Sequence, residues 1–435
     1  MIRPRKAVPS PLGITHSHPI LCGLSETALP PSNIKHSTSN ISRPSPTLVI
    51  LSGLLLWAFA SQLIAALSWG HDSYQLTEWL INYSGGFVRR GLPGWLIGIC
   101  ADASGVQANH LIIGFSAICY LLLAIWFLRR STRAFPAILI LSCIVMGFPA
   151  YQDSIVRKDC LGLLLLIGCL AADRSRLPRP AIILALNLLA GVAILSHETF
   201  VFYGLAGLIL FRCGDEKPPH VIEIVRRGLG LLPAAGCFLL TAVFHGTPGQ
   251  AEAVNDSWLP LWRIIDPGNP GLESPSAAIQ ALGWSTEHGL SLSLYLLTSG
   301  LYQPAAWAMV FAISFGLVVL FTRPEHRARV IALLLAQWVF ISPLFLLGVD
   351  YGRWLFLWVA STVILHTERR SAPLWLEACV ARLFEKANLA RLFELVPAKN
   401  WYFLFFGVPV CWNLFNFLTA SPISRHWHFI WSSLR

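Results

Sequence analysis

Charge is scarce in this chain. Of its 435 residues only 12% are Asp, Glu, Lys or Arg, and 55% are apolar, whereas a soluble globular protein carries roughly 25% charged residues. That shortage excludes an ordinary soluble domain. The period-2 alternation of a membrane β-barrel is also missing. The ten Cys include no C-x-x-C pair and lie mostly inside apolar runs. They read as small core hydrophobes, not as a zinc or disulfide framework. No strand leads into a Gly-rich loop ending in Gly-Lys-Ser/Thr, so no nucleotide-phosphate loop is present. No internal repeat of the kind that many transporters carry can be read.

What the chain does have is a succession of apolar runs near the length of a membrane helix, about 20 residues. In lipid the backbone must satisfy its own polar groups, so helices are the spanning element. We therefore expect an all-α, polytopic transmembrane helical bundle of about 11 spans, in a range of roughly 9–13. The runs are 46–68, 110–128, 135–148, 160–172, 180–195, 200–211, 228–244, 304–321, 330–347, 354–366 and 401–418. Residues 1–46, rich in Pro, Ser, Thr and His without periodicity, read as a disordered tail. They are not a signal peptide, because no short basic region directly precedes the first apolar run. A transmembrane domain fills 47–420, with outer loops 70–92 and 245–302. An inner amphipathic helix covers about 375–395. Residues 421–435 form a C-terminal tail.

The net charge of +10 resides in short loops. With residues 1–46 cytoplasmic, the loops 129–133, 173–179, 212–227, 323–329 and 367–400 fall inside and hold 3, 3, 4, 3 and 6 Arg and Lys. That is the positive-inside pattern of a multi-pass membrane protein, and it leaves no role for nucleic acid. Loops 70–92, 151–158, 196–199, 245–302 and 348–353 then share the outer face, and the unusual polar groups all lie in them.

Four such groups stand out. The first is His71–Gly94. Asp72, just past the first span, reads as a general base or as a carboxylate for a divalent cation; Glu78 supports it. Gly85 and Gly86 permit a tight turn and close approach of backbone to a ligand, and Arg89 and Arg90 offer guanidiniums suited to phosphate oxygens. The second group is Asp153, Arg157, Lys158 and Asp159. At helical spacing Asp153 and Arg157 pair; Arg157 or Lys158 would hold a phosphate that Asp159 orients. His197 and Glu198 form the third, a pair able to move a proton, although Val201 and Phe202 leave the H-E-x-x-H zinc pattern incomplete. Last come Asp350 and Arg353, either an ion pair in a turn or a phosphate clamp. Several arginines imply an anionic ligand, and apolar surroundings place its other end in lipid.

The segment Asn82-Tyr-Ser-Gly-Gly-Phe-Val-Arg-Arg-Gly91 resembles one carried by uncharacterised bacterial polytopic membrane proteins. More distantly, the topology over about residues 47–420 is similar to GT-C type membrane glycosyltransferases and to O-antigen or exopolysaccharide polymerases. The resemblance implies a first-outer-loop acid as base or metal ligand, a position that only Asp72 matches. His71 and Ser73 flank it where a second acid is usual, so the likeness does not fix metal dependence. It further implies that Arg89, Arg90, Arg157 and Arg353 hold a lipid-linked diphosphate.

The expected function is a glycosyltransferase or polysaccharide polymerase of the outer face. It would use a polyprenyl-phosphate or -diphosphate sugar donor and a glycan or other hydroxyl-bearing acceptor. Asp72 would be the base, His197 or Glu198 the second choice, and 245–302 the acceptor groove. The rival readings are a transporter or flippase for a lipid-linked or other anionic substrate, and a non-catalytic subunit of an envelope assembly.

Overall fold

The computed structural model describes residues 45–212, 220–368, 374–386, 395–410 and 420–433. The chain divides into Met1–Arg43, which lies outside the described residues together with nearly all of the expected disordered tail, and Pro44–Arg435. Among the described residues there are helices and no strand, so the all-α bundle stands.

Local chemistry explains the first elements. Helix α1 (Pro46–Ala66) starts on Pro46 at its first position, and the Ser45 hydroxyl accepts from Leu48 N–H at 3.3 Å; proline and a hydroxyl cap suit a helix start. Its flanks carry Ile50, Leu56, Trp57 and Ile64 in the open, as a lipid-facing helix requires. Ser73 caps the short α2 (Tyr74–Leu80). α3 (Gly91–Ser104) begins at Arg90 and stops on Gly105, whose positive φ lets its N–H reach Ala101 O at 2.9 Å. α4 (Ala108–Arg130) is the second long apolar helix.

The expected span at 135–148 is not a spanning helix. It breaks into α5 (Ala137–Leu141) and α6 (Gly147–Tyr151), both buried. Between them Ser142 turns extended, its hydroxyl accepts from Ile144 N–H, and its carbonyl accepts from Gly147 N–H at 2.8 Å. An apolar run buried in protein looks the same in sequence as one buried in lipid, which is why hydropathy miscounts it.

α7 (Asp159–Asp173) and α8 (Arg179–Ser196) pack as an antiparallel pair. The next run holds a π-turn, Val201–Leu205, that leads into α9 (Ala206–Arg212). α10 (Val221–Leu229) and α11 (Leu232–Val243) follow. The outer segment 245–302 is itself helical: α12 (Pro248–Ser257), α13 (Leu259–Ile265), α14 (Ala277–Gln280) and α15 (Thr286–Thr298). With α2 the first three build a core of their own around Trp79, Leu80, Val254, Trp262 and Ile279.

The main core is shared by α1, α4 to α9, α16 (Pro304–Phe321), α17 (Arg327–Ile341), the single turn α18 (Leu344–Leu347) and α19 (Tyr351–Glu368). α19 is buried almost all round, the mark of a central helix. α20 (Leu374–Lys386) lies against α17 and takes the place of the expected amphipathic helix as far as Lys386; residues 387–394 lie outside the description. Of the expected last span only the turn Tyr402–Phe405 is described as helix, and 411–419 lie outside the described residues. Where a C-terminal tail was expected, Pro422–Ser433 is a helix.

Among the described residues five helices are long and apolar enough to cross a membrane: Pro46–Ala66, Ala108–Arg133, Arg179–Ser196, Pro304–Phe321 and Pro324–Leu347. At one end of the bundle Arg174 meets Glu368, Arg212 meets Asp173 at 3.4 Å, and Arg329 meets Glu377 at 3.0 Å. At the other end lie the four polar groups that the sequence singles out.

Candidate functional site

These groups come from segments far apart in sequence and meet between the starts of α7 and α19 and the end of α8. Glu78, in the last turn of α2, is the centre. Its side chain is 0% exposed, and its Oε1 stands 2.9 Å from His197 Nε2, 3.6 Å from Arg353 Nη2 and 3.8 Å from Arg90 Nη1. Arg353 Nε donates to Asp159 Oδ2 at 2.6 Å, and its Nη1 to Asp350 Oδ2 at 3.3 Å. Arg157 Nη1 donates to the same Asp350 oxygen at 3.0 Å, with its guanidinium over the Tyr74 ring. Across the network Arg90 grips Glu198 with Nε at 2.8 Å and with Nη2.

Backbone placement makes this possible. Arg90 has φ 63 and Asp153 φ 52, a left-handed conformation unusual for side-chain-bearing residues and frequent at functional sites. Gly86, at φ 99, makes the turn before the arginines. Gly85 lies flat on α12, where an added Cβ would meet Gln250 Cα at 3.0 Å; Gln250 Nε2 donates to Gly85 O and Phe87 O. Gly85 thus brings backbone close to a helix. The outer segment clamps the loop in other places too: Trp258 Nε1 donates to Leu80 O at 2.7 Å, Asn82 Nδ2 to Ser257 Oγ at 2.9 Å, and Ala278 N–H to Thr77 Oγ1 at 3.2 Å.

Four arginines (89, 90, 157, 353) face four carboxylates (78, 159, 198, 350). Burial pushes the Glu78 carboxyl up, but Arg353 and then His197 more than reverse this and hold it well below the usual range. For Glu198, burial is outweighed first by Arg90 and then by His197. His197 is held below its usual value by burial and by Arg90. Thr199 donates to His197 Nδ1 from its backbone N–H at 3.3 Å, with its hydroxyl at 2.9 Å. Nδ1 is therefore an acceptor, while Nε2 lies between Glu78 Oε1 at 2.9 Å and Arg353 Nη2 at 3.0 Å. Thr199 was not singled out in the sequence; only its place beside His-Glu could have signalled it.

Arg89 differs from the other three. Its Nη2 donates to Ala281 O at 3.2 Å, its Nε is buried without a hydrogen-bond partner, and its nearest carboxylate, Glu198, stands 4.0 Å away and is already held by Arg90. A quarter of its side chain is exposed. This guanidinium has donors to spare.

Lys158 is buried, with Nζ donating to Arg90 O at 3.3 Å and lying 5.7 Å from the centre of the Trp79 ring. Burial pulls its amine down to about 7 from the ordinary 10.5. Unfolded Lys158 keeps its proton up to the higher value, and folded Lys158 loses it at the lower one. Its contribution to stability therefore rises with pH across that window and is flat below it. In Lys158→Met this rise should vanish, a difference read from unfolding midpoints of both proteins in detergent at pH 6.5, 8 and 9.5.

Asp72 stands apart. Its side chain is 79% exposed, it meets His71 at 3.6 Å and Asn269 at 3.5 Å, and it joins none of the network's ion pairs. With Asp153 and Asp266 it lines a cleft of about 620 Å³ that also touches Tyr74. Asp153 does not pair with Arg157 as the helical spacing suggests. A turn replaces the helix there, and Asp153 pairs instead with Arg425 at 2.9 Å and with Gln62. Among the described residues no three His, Cys, Asp or Glu side chains are placed to hold a metal ion.

Residues 48–246 match the family model described as Uncharacterised membrane protein Rv1490. The matched stretch runs from α1 through α11. It contains Glu78, Arg89, Arg90, Arg157, Lys158, Asp159, His197 and Glu198, and stops short of Asp350 and Arg353. No curated protein and no solved structure matches the chain. The match and the five long apolar helices agree on a multi-pass membrane protein.

Proposed function

We propose that this protein transfers a sugar from a polyprenyl-phosphate or -diphosphate carrier to a hydroxyl-bearing acceptor, at the end of the bundle where the network lies. We take that end to be the extracytoplasmic face of a bacterial inner membrane, on the positive-inside pattern of the opposite loops. One observation supports the reading: among the described residues, Arg89 alone of the four arginines has no carboxylate within hydrogen-bond distance, its buried Nε has no partner, and a quarter of its side chain is exposed. A phosphate is the natural acceptor for such a group, and a leaving phosphate gains negative charge that a fixed guanidinium stabilises. Glu198, 4.0 Å from Arg89, is the acid best placed to take the acceptor's proton, and displaces Asp72 as first choice. Arg90, Arg157 and Arg353 hold carboxylates and act as scaffold.

The test is a profile of lipid-linked glycans at matched protein level. Arg89→Ala and Glu198→Gln should each accumulate unused donor, with transfer down about a hundredfold or more, the scale of a lost charge-stabilising donor. Asp72→Asn should stay near normal. Donor trapped on the cytoplasmic side would mean flipping instead. Unchanged glycans in both variants would end the proposal.

A further inference from the structure

Arg89, Arg90, Arg157 and Arg353 are balanced charge for charge by Glu78, Asp159, Glu198 and Asp350. Lys158 is a fifth cation in the same space. Its contacts are a carbonyl and a ring, and among the described residues no carboxylate stands at ion-pair distance from it. We propose that an anion bound at Arg89 brings a proton onto Lys158, so that this end of the bundle takes up the two together. The inference rests on the reading above for the anion at Arg89, and not on sugar transfer.

Lys158 lies in the turn that opens α7 and is 2% exposed. Arg90 O and the face of Trp79 replace water poorly around an ammonium. Four charged groups from other elements act on it: Glu78 of α2, Arg90 before α3, Glu198 after α8 and Arg353 of α19. His197 stands behind Glu78 at 2.9 Å, and Arg157 and Asp159 flank the lysine in its own chain. The two acids favour its proton and the two arginines oppose it, so burial decides and brings the amine to about 7.

Arg90 joins this amine to the anion's position. With φ 63, it gives its carbonyl to Lys158 while its guanidinium grips Glu198. Glu198 is in turn 4.0 Å from Arg89. An anion at Arg89 therefore adds a negative charge a few side chains from Lys158, where water screens little. At such a range, with an effective dielectric of about 20, one charge shifts a protonation equilibrium about tenfold. The coupling is reciprocal: the proton holds the anion by the same factor as the anion holds the proton.

The sign follows. Below about 7 Lys158 is charged with or without the anion, and affinity is highest and flat. Above that value the anion has to bring the proton with it, so affinity falls as pH rises. Once the anion-bound lysine also loses its proton, affinity levels off about tenfold weaker. Glu78, Glu198 and Asp350 are held below the usual carboxylate range and keep their charge throughout.

The experiment titrates the full-length protein, in alkyl maltoside micelles, with diethyl phosphate. This phosphodiester keeps a single negative charge over the whole range, so any pH dependence belongs to the protein. Binding is read from phosphorus NMR line broadening at pH 6, 7, 8 and 9. The native Kd should rise about tenfold from pH 6 to pH 9. Lys158→Met should bind at every pH as weakly as the native protein does at pH 9. Lys158→Gln, which keeps a donor for Arg90 O without a titrating charge, should do the same. Arg89→Ala should lose binding. A flat native curve, a slope that survives in both Lys158 variants, or undiminished binding in Arg89→Ala would each overturn the proposal. The readout needs no sugar transfer. A pH-linked Kd in a protein whose Arg89 and Glu198 variants leave glycans unchanged keeps the proton-linked anion site and discards the transferase. Donor accumulation with a flat Kd does the reverse.

Discussion

Arg353→Met should cost about 3–5 kcal/mol of stability, the loss that follows when one partner of a buried ion pair is removed. Three carboxylates depend on this guanidinium: Asp159 at 2.6 Å, Asp350 at 3.3 Å and Glu78 at 3.6 Å. Arg157 can still serve Asp350, and His197 can still serve Glu78. Asp159 has no second cation at ion-pair distance among the described residues, and 4% of its side chain is exposed. It would be left charged in an apolar surrounding or forced to take up a proton. Arg353→Lys restores charge but not the fork that reaches three acids at once, so it should fall between Met and the native residue. The control is Arg129→Met at the opposite, exposed end of α4, which should change stability by less than about 0.5 kcal/mol. Unfolding midpoints in detergent, at matched pH, compare the three. If Arg353→Met unfolds at the same point as Arg129→Met, the network carries no structural load and its geometry is incidental.

This network explains what the sequence could and could not tell. Apolar run length marks α1, α4, α8 and α16 to within a few residues, because lipid imposes both their length and their composition. The same signal fails at 135–148, where Ser142 breaks the run inside protein. Loop charge groups Glu78, Arg89, Arg90, Arg157, Lys158, Asp159, His197, Glu198, Asp350 and Arg353 correctly as neighbours, for a simple reason: in a bundle this apolar an ion needs a counter-ion, and the counter-ions lie in the other loops. The partnering is another matter. Asp153 and Arg157 have ideal helical spacing and do not pair, because φ 52 at Asp153 takes the chain out of the helix. Asp72 carries the strongest positional argument in the sequence and ends up in a separate cleft. Which guanidinium lacks a carboxylate at hydrogen-bond distance is decided by a 4.0 Å gap between Arg89 and Glu198 that no spacing rule encodes.

The long-range clamp on the Asn82–Gly91 loop leads to a second large effect, at a residue with no charge. Gly94, in the first turn of α3, faces the turn after α2. A Cβ there would stand 2.7 Å from Ile81 C and 2.8 Å from Trp79 O, and closer still to Ile81 O. These are backbone atoms, so no side chain can swing aside. Either α3 or the Trp79–Ile81 backbone has to move, and both carry the site: Glu78 precedes one and Arg90 opens the other. Gly94→Ala should therefore cost more than the ~1–3 kcal/mol of an ordinary overpacked core. Gly98 lies one turn further along the same helix, and its added Cβ would find only a Trp258 ring atom at ordinary contact distance, 3.7 Å. There the usual gain of Ala over Gly inside a helix, up to about 1 kcal/mol, should be realised. Two identical substitutions four residues apart thus have opposite signs. Yield of monodisperse protein and unfolding midpoint in detergent measure both. A Gly94→Ala protein as stable as Gly98→Ala would show that the backbone there has room to give, and that the approach of α3 to α2 does not fix the position of Arg90.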